Sequence, residues 1–406
     1  MSTTLLVISA VSLLSWLYLW LFRGGFWKTD ETLDGGHPGK NAKKKWPSVA
    51  VVVPARNEAD VLPRSLSTLL KQEYPGAFHV FLVDDHSDDG TGAVARETAR
   101  NLDREDRLTV VTGEALRPGW TGKLWAVEQG IGKARALKTE YLLLTDADIA
   151  YAEESDVARL VGKALEEQRD LVSLMVRLRV KSLWERLLIP AFVYFFTMLY
   201  PFSWAKNPRR RLAAAAGGCL LVRREALERA GGLAPIRGEL IDDCSLAALI
   251  KKQGREEGGR IWLGLGGSVL SLRPYDGLGE IWKMVARTAF VQLKYSYILL
   301  AGTVAGMVLV FLAPPVGAVA GLAGACLQPG NGTWWEVAAA GLTVWLLMAR
   351  TYAPMVRWYG LPKWYSALLP FSAGLYTLMT LDSARRFRRG GGGLWKGRTY
   401  PVAGEE

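Results

Sequence analysis

Short β-rich apolar runs alternate with helix-like stretches between residues 49 and 146, and this narrows the fold more than any other feature. The runs fall at 49–54, 78–84, 108–112 and 141–146, with helix-like stretches at 61–71, 91–102 and 124–137 between them. Such repetition predicts βαβ units and an α/β domain built on a mostly parallel sheet. Strand one ends in Pro54-Ala55-Arg56-Asn57-Glu58. Strand two ends in Asp84-Asp85-His86-Ser87-Asp88-Asp89-Gly90-Thr91, and strand four in Asp146-Ala147-Asp148. In a parallel sheet these ends share one edge, where α/β sheets bind ligands. Any one acidic cluster reads equally well as a solvated turn; three in register read as a site. A D-x-D pair there can hold Mg²⁺ or Mn²⁺ against a diphosphate. The pattern suggests an enzyme that uses a nucleotide-activated donor.

Composition removes several function classes. Three cysteines, Cys219, Cys244 and Cys326, are too scattered for a disulfide framework, and no Cys/His spacing resembles a zinc site. Three histidines leave little room for His-based metal chemistry. The net charge of +11 invites a nucleic-acid reading, but no recognition module is visible. The basic residues instead cluster beside apolar segments, as in Lys40, Lys43, Lys44, Lys45 and Arg385, Arg386, Arg388, Arg389. That is the pattern of a positive-inside membrane protein beside anionic headgroups.

Residues 5–22 are apolar and uncharged, long enough to span a bilayer. They lack the basic n-region and small-residue cleavage site of a signal peptide, so an uncleaved anchor is expected. The basic run that follows places the next domain in the cytoplasm. From Tyr297 almost to Leu381 the chain is hydrophobic, with candidate spans at 297–312, 316–327, 334–348 and 364–381. Pro314-Pro315 either splits the first stretch into a hairpin or kinks one long helix. The split gives five spans and a cytoplasmic tail, and is preferred; the unsplit form gives four. Residues 187–204 are apolar and aromatic, and read as an interfacial helix or acceptor-groove wall, with a buried core helix as the plainer alternative. Gly390 to Gly393 reads as a flexible joint.

The motifs above resemble a membrane-bound family 2 glycosyltransferase of the GT-A fold. Lys123, Gly217-Gly218-Cys219, Val222-Arg223-Arg224-Glu225-Ala226-Leu227, Gly231-Gly232, Asp242-Asp243 and the tail Trp395-Lys396-Gly397-Arg398-Thr399-Tyr400 extend the likeness. A closer resemblance is to the bacterial glycosyltransferase associated with hopanoid biosynthesis. That likeness rests on Gly119-Trp120-Thr121-Gly122-Lys123-Leu124-Trp125-Ala126, Leu240-Ile241-Asp242-Asp243-Cys244-Ser245-Leu246-Ala247 and Ser271-Leu272-Arg273-Pro274-Tyr275-Asp276. Val285-Ala286-Arg287-Thr288-Ala289-Phe290 and Gln292-Leu293 add to it. The implied organisation is a transmembrane anchor at 1–24, a GT-A domain at 46–290 with the apolar helix at 187–204, transmembrane helices at 296–382 and a basic cytoplasmic tail at 383–406.

The resemblance also implies roles. Asp84 or Asp85 accepts a uracil-type N–H of the donor base, and Glu58 and the backbone at Ala55 frame the nucleoside. Asp146 and Asp148 hold the divalent metal against the diphosphate. Lys123 reads as a phosphate contact or, equally, as a solvated lysine at a helix start. Arg287 and Arg398 are further donor-binding candidates; the plainer reading of the Arg398 tail is a headgroup anchor. An inverting transfer needs a base on the acceptor hydroxyl, and Asp243, with Asp242 beside it, is the candidate. The plainer reading of the pair is an acidic first turn of a helix.

One departure matters. Where many relatives carry Q/R-x-x-R-W, this chain has Met284-Val285-Ala286-Arg287-Thr288, with threonine in place of the tryptophan. That weakens a polysaccharide-synthase reading. The implied function is metal-dependent, inverting transfer from a UDP-type nucleotide sugar to a hopanoid or other membrane lipid, at the bacterial inner membrane with the catalytic domain facing the cytoplasm. Rivals are a ceramide-like, carotenoid or polysaccharide acceptor, and a non-catalytic membrane scaffold.

Overall fold

The computed structural model describes residues 2–33, 45–253 and 259–389, together with the backbone of Leu394–Trp395 and Arg398–Thr399. Lys40, Lys43, Lys44, Gly390 to Gly393 and the side chain of Arg398 lie outside the described residues. The chain divides into two compact units.

The first unit comprises residues 30–179, 204–274 and 393–406. Its sheet has eight strands: β1 (Val49–Ala55), β2 (Phe78–Asp84), β3 (Leu108–Thr112), β4 (Tyr141–Thr145), β5 (Ile149–Tyr151), β6 (Leu171–Arg177), β7 (Cys219–Arg223) and β8 (Ile261–Ser271). They run in the order β3-β2-β1-β4-β7-β6-β8-β5. The β3-β2-β1-β4 half is parallel, as the strand–helix alternation predicts, and β6 pairs β8 in parallel. The pairings of β7 with β4 and β6, and of β5 with β8, are antiparallel, so the sheet is mixed.

Both faces are covered. Along β1, Val49, Val51, Val53 and Ala55 face a core shared with helices Leu62–Leu70, Thr91–Arg100 and Asp156–Glu166. Ala50 and Val52 face the opposite core, under Gly122–Ala134, Arg224–Arg229 and Asp242–Gln253. Every residue of β1 is buried, which explains its unbroken apolar run: a strand covered on both faces has no polar side to alternate with. Helix Gly122–Ala134 comes close enough to the sheet that a Cβ at Gly130 would lie 2.4 Å from Val52 Cγ1 and 3.1 Å from Val83 Cγ2. Overpacking of this kind costs about 1–3 kcal/mol. Gly130→Ala is therefore expected to lower the thermal midpoint of detergent-purified protein; an unchanged midpoint would show that the helix can withdraw without loss.

The second unit comprises residues 1–29, 180–203 and 275–392 and is helical. Among the described residues, three stretches are long and apolar enough to cross a membrane: Ser2–Phe22, Leu183–Ala205 and Tyr297–Leu327. The stretch at 187–204 forms helix Leu183–Leu199, entered through a capping box in which Ser182 Oγ accepts the Glu185 N–H and Glu185 accepts the Ser182 N–H. Helices Thr333–Trp358 and Leu369–Arg388 complete the C-terminal part.

The preferred hairpin at Pro314-Pro315 is corrected by the structure. The chain runs from Tyr297–Met307 through a π-helical turn, Val308–Leu312, straight into Ala313–Leu327. Proline removes the donor that a carbonyl four residues earlier would use. The carbonyl deprived by Pro314 is that of Val310, and Trp16 Nε1 donates to it at 2.7 Å. Trp16 is fully buried and packs edge-on against Phe311. A side chain from the N-terminal helix thus supplies the bond that the proline removes, and the helix continues.

Candidate active site

The C-terminal ends of β1, β2 and β4 emerge on one edge, as the sequence requires. Two loops there are laced together. Ser87 Oγ accepts the Asn57 N–H at 3.0 Å, Asn57 Oδ1 accepts the Asp88 N–H at 2.9 Å, and Thr91 Oγ1 accepts the Glu58 N–H at 3.0 Å. The two donor-base candidates are both held within the chain. Asp84 accepts the Ser87 N–H through Oδ1 and the Gly92 N–H through Oδ2, each at 3.1 Å. Asp85 is buried; its N–H donates to the Ala55 carbonyl, and Arg56 Nη1 lies 3.9 Å from its carboxylate. Asp84 therefore builds the loop, and the backbone of Ala55 is tied to the neighbouring strand end.

Lys123 is half-buried and paired. Its Nζ lies 3.0 Å from Asp146 Oδ1 and 3.2 Å from Asp242 Oδ2. It stands in the first turn of Gly122–Ala134, while Asp242 and Asp243 open Asp242–Gln253. Lys123, Asp146, Asp242 and Asp243 line one cavity of about 30 Å³ with Gly217, Thr145 and several apolar side chains. A Cβ at Gly217 would lie 3.2 Å from Lys123 Nζ and 3.4 Å from Asp243 Oδ2. Glycine at this position lets the backbone approach both charges.

Burial opposes the charge on Lys123, but Asp146, Asp242 and Asp243 outweigh it and hold the ammonium above its usual pKa. Burial pushes the Asp146 carboxyl upward; Lys123 opposes the shift, and Asp148 and Asp242 add to it. Asp243 is pushed up to about 6, first by burial and then by the charge of Asp242, against the pull of Lys123. Its Oδ1 accepts the Cys244 N–H at 2.7 Å. The first-turn reading of the two aspartates is thus correct as geometry, and the same turn carries them to Lys123 and Asp146.

Asp148 faces a different partner. Its Oδ2 accepts from Ser271 Oγ at 3.0 Å and from Arg273 Nε at 3.2 Å. Arg273 Nη2 also donates to Glu58 Oε1 at 3.2 Å. The ladder imposes this, because Ile149 pairs with Ser271 across β5 and β8 and the Leu272 N–H donates to the Asp148 carbonyl. Sequence reasoning carries Arg273 only within a motif and assigns it no role. The available signal was a basic residue two positions beyond a strand end, but Gly264, Gly266 and Gly267 disguise that strand. Arg287 is exposed on helix Leu278–Gln292 of the helical unit.

Among the described residues, no group of three or more His, Cys, Asp or Glu side chains is arranged to hold a metal ion. Asp146 and Asp148 each keep one carboxylate oxygen outside the hydrogen bonds and ion pairs that hold the other. Two carboxylates are a sufficient protein contribution for Mg²⁺, which takes its remaining ligands from phosphates and water. The residues present fit such an ion.

A solved mannosyltransferase from Pyrobaculum calidifontis, in complex with GDP-Man and Mn²⁺, shares the fold with a TM-score of 0.53 at 22% identity, over 93% of this chain and 99% of that one. Beta-monoglucosyldiacylglycerol synthase of Trichormus variabilis is 26% identical over 197 residues, 48% of this chain and 40% of the relative. The 4,4'-diaponeurosporenoate glycosyltransferase of Staphylococcus haemolyticus is 29% identical over 128 residues, 31% of each chain. The chain therefore spans well under half the length of these curated relatives. Residues 47–257, just over half of the chain and the stretch that holds β1 to β7, match the family described as "Glycosyltransferase like family 2". The protein belongs to that glycosyltransferase family.

Proposed function

We propose that the protein transfers a sugar, with inversion, from a nucleotide-diphosphate sugar to a membrane lipid, and that the acceptor is a hopanoid. The observation that carries the reading is the convergence of Asp146, Asp242 and Asp243 on Lys123 at the edge where the parallel strands end. The three apolar helices and two relatives whose names specify lipid products or acceptors support a membrane acceptor. The hopanoid assignment rests on the motifs around Lys123, Asp242 and Arg273. The catalytic unit faces the cytoplasm, where nucleotide sugars are made, and the basic segments flanking the apolar ones support that orientation.

Each residue then has a task. Asp243 takes the proton of the acceptor hydroxyl as that oxygen attacks the anomeric carbon, and the bond to the diphosphate oxygen breaks. Lys123 fixes Asp242 beside Asp243 and keeps Asp146 in place. Asp146 and Asp148 would hold Mg²⁺ or Mn²⁺, which would supply charge neutralisation for a diphosphate. Asp84, Asp85, Glu58 and the backbone at Ala55 shape the nucleoside end of the crevice.

The test is sugar-nucleotide turnover by detergent-purified protein. UDP- and GDP-sugars are offered with Mn²⁺, with and without EDTA and with and without a hopanoid or diacylglycerol. Release of nucleoside diphosphate from one donor, abolished by EDTA and stimulated by hopanoid alone, is the expected result. Stimulation by diacylglycerol instead would replace the acceptor, and folded protein that neither binds nor cleaves any donor would remove the transferase reading.

A further inference from the structure

Arg273 neutralises two carboxylates at once. Asp148 and Glu58 are 7% and 9% exposed, and the guanidinium reaches both at 3.2 Å. It projects just past the end of β8, and Ser271 of that strand holds the same oxygen of Asp148. Neither carboxylate can be left bare in such a place, because a buried charge without a partner costs several kcal/mol. A divalent cation on Asp148 would bring a second positive centre against the guanidinium, and like charges at this range repel strongly where burial leaves them poorly screened. The two cannot both hold Asp148 at full strength. A diphosphate arriving with the cation offers the guanidinium a planar, bidentate anionic partner of the kind arginine prefers.

We propose that Arg273 is an exchangeable counter-ion. In the donor-free chain it occupies the metal-side carboxylate Asp148, and on loading it gives Asp148 up to the cation and passes to the nucleotide's diphosphate. The inference rests on the transferase reading above and adds a partner exchange to it. Asp148 passes from the guanidinium to the cation while Arg273 keeps Glu58, so the exchange proceeds without exposing a buried carboxylate. It also predicts coupling. Cation alone must displace Arg273 from Asp148, and diphosphate alone must draw it from Asp148 with no cation to replace it, so each binds weakly by itself and the two favour each other.

The test uses full-length protein in detergent. Mn²⁺ binding is followed by electron paramagnetic resonance, and UDP and GDP binding by calorimetry with and without Mn²⁺. Arg273→Gln is expected to bind Mn²⁺ alone at least threefold more tightly than the parent. It should bind nucleoside diphosphate in the presence of Mn²⁺ at least tenfold more weakly, with the coupling between the two ligands reduced. Arg273→Lys keeps the charge without the two-pronged reach and should lie between them; it decides the matter if the glutamine variant does not fold. Unchanged or weaker Mn²⁺ binding by the folded variants, or undiminished diphosphate binding, would overturn the exchange while leaving the transferase reading intact. Absence of both Mn²⁺ and nucleotide binding in the parent protein would overturn the two together.

Discussion

Asp243→Asn is expected to lower turnover roughly a thousandfold while leaving donor affinity within a factor of about two, since a positioned general base contributes 10²–10⁴ in rate. The asparagine keeps the shape of the side chain and can no longer take a proton. The parent enzyme should show the titration of this group directly. With the Asp243 carboxyl at about 6, the group is protonated and inactive below that pH, and kcat/KM should fall tenfold per unit there. Above it the base is free and the rate should level off. The variant should lose that acidic limb. A fall in donor affinity equal to the fall in rate would move Asp243 from the acceptor side to the donor side of the site.

Asp148→Ala should reduce turnover by roughly three orders of magnitude, the equivalent of about 4 kcal/mol of transition-state stabilisation. Mn²⁺ binding should be lost in parallel. The substitution also strips a partner from Arg273 and from the buried hydroxyl of Ser271. Removal of one side of a hydrogen-bonded pair costs about 1–3 kcal/mol, so a lower thermal midpoint is expected, with the cooperative transition retained. Circular dichroism melts beside the kinetics separate the two effects. Near-parental turnover in a folded Asp148→Ala protein would dispose of the metal assignment.

The parallel half of the sheet was legible because β1, β2 and β4 are continuous apolar runs that stop at polar residues. Strands on one edge of a parallel sheet must also share a direction, so their acidic ends could be placed together without coordinates. The mixed half was not legible. β5 is three residues long, too short to declare a period, and β8 carries three glycines. Arg273 was hidden for the same reason, since its position beside Asp148 follows from the β5–β8 register. The lysine bridge from Asp146 to Asp242 joins residues far apart in sequence that no local pattern connects. Pro314-Pro315 read as a break because local propensity is the only information a sequence window holds, and Trp16 overrides it from the other end of the chain.

That last contact bears on how the protein can be shortened. Deleting the N-terminal apolar helix is an obvious route to a better-behaved fragment if that helix is only a tether. Here the tether carries a hydrogen-bond donor into the π-helical turn of another helix, and its loss would leave the half-buried Val310 carbonyl without that donor in an apolar stretch. A fragment lacking residues 1–24 would gain solubility at one end and lose the shape of a helix nearly three hundred residues away. The first helix behaves as a part of the scaffold that happens to be first, and expression strategies should retain it.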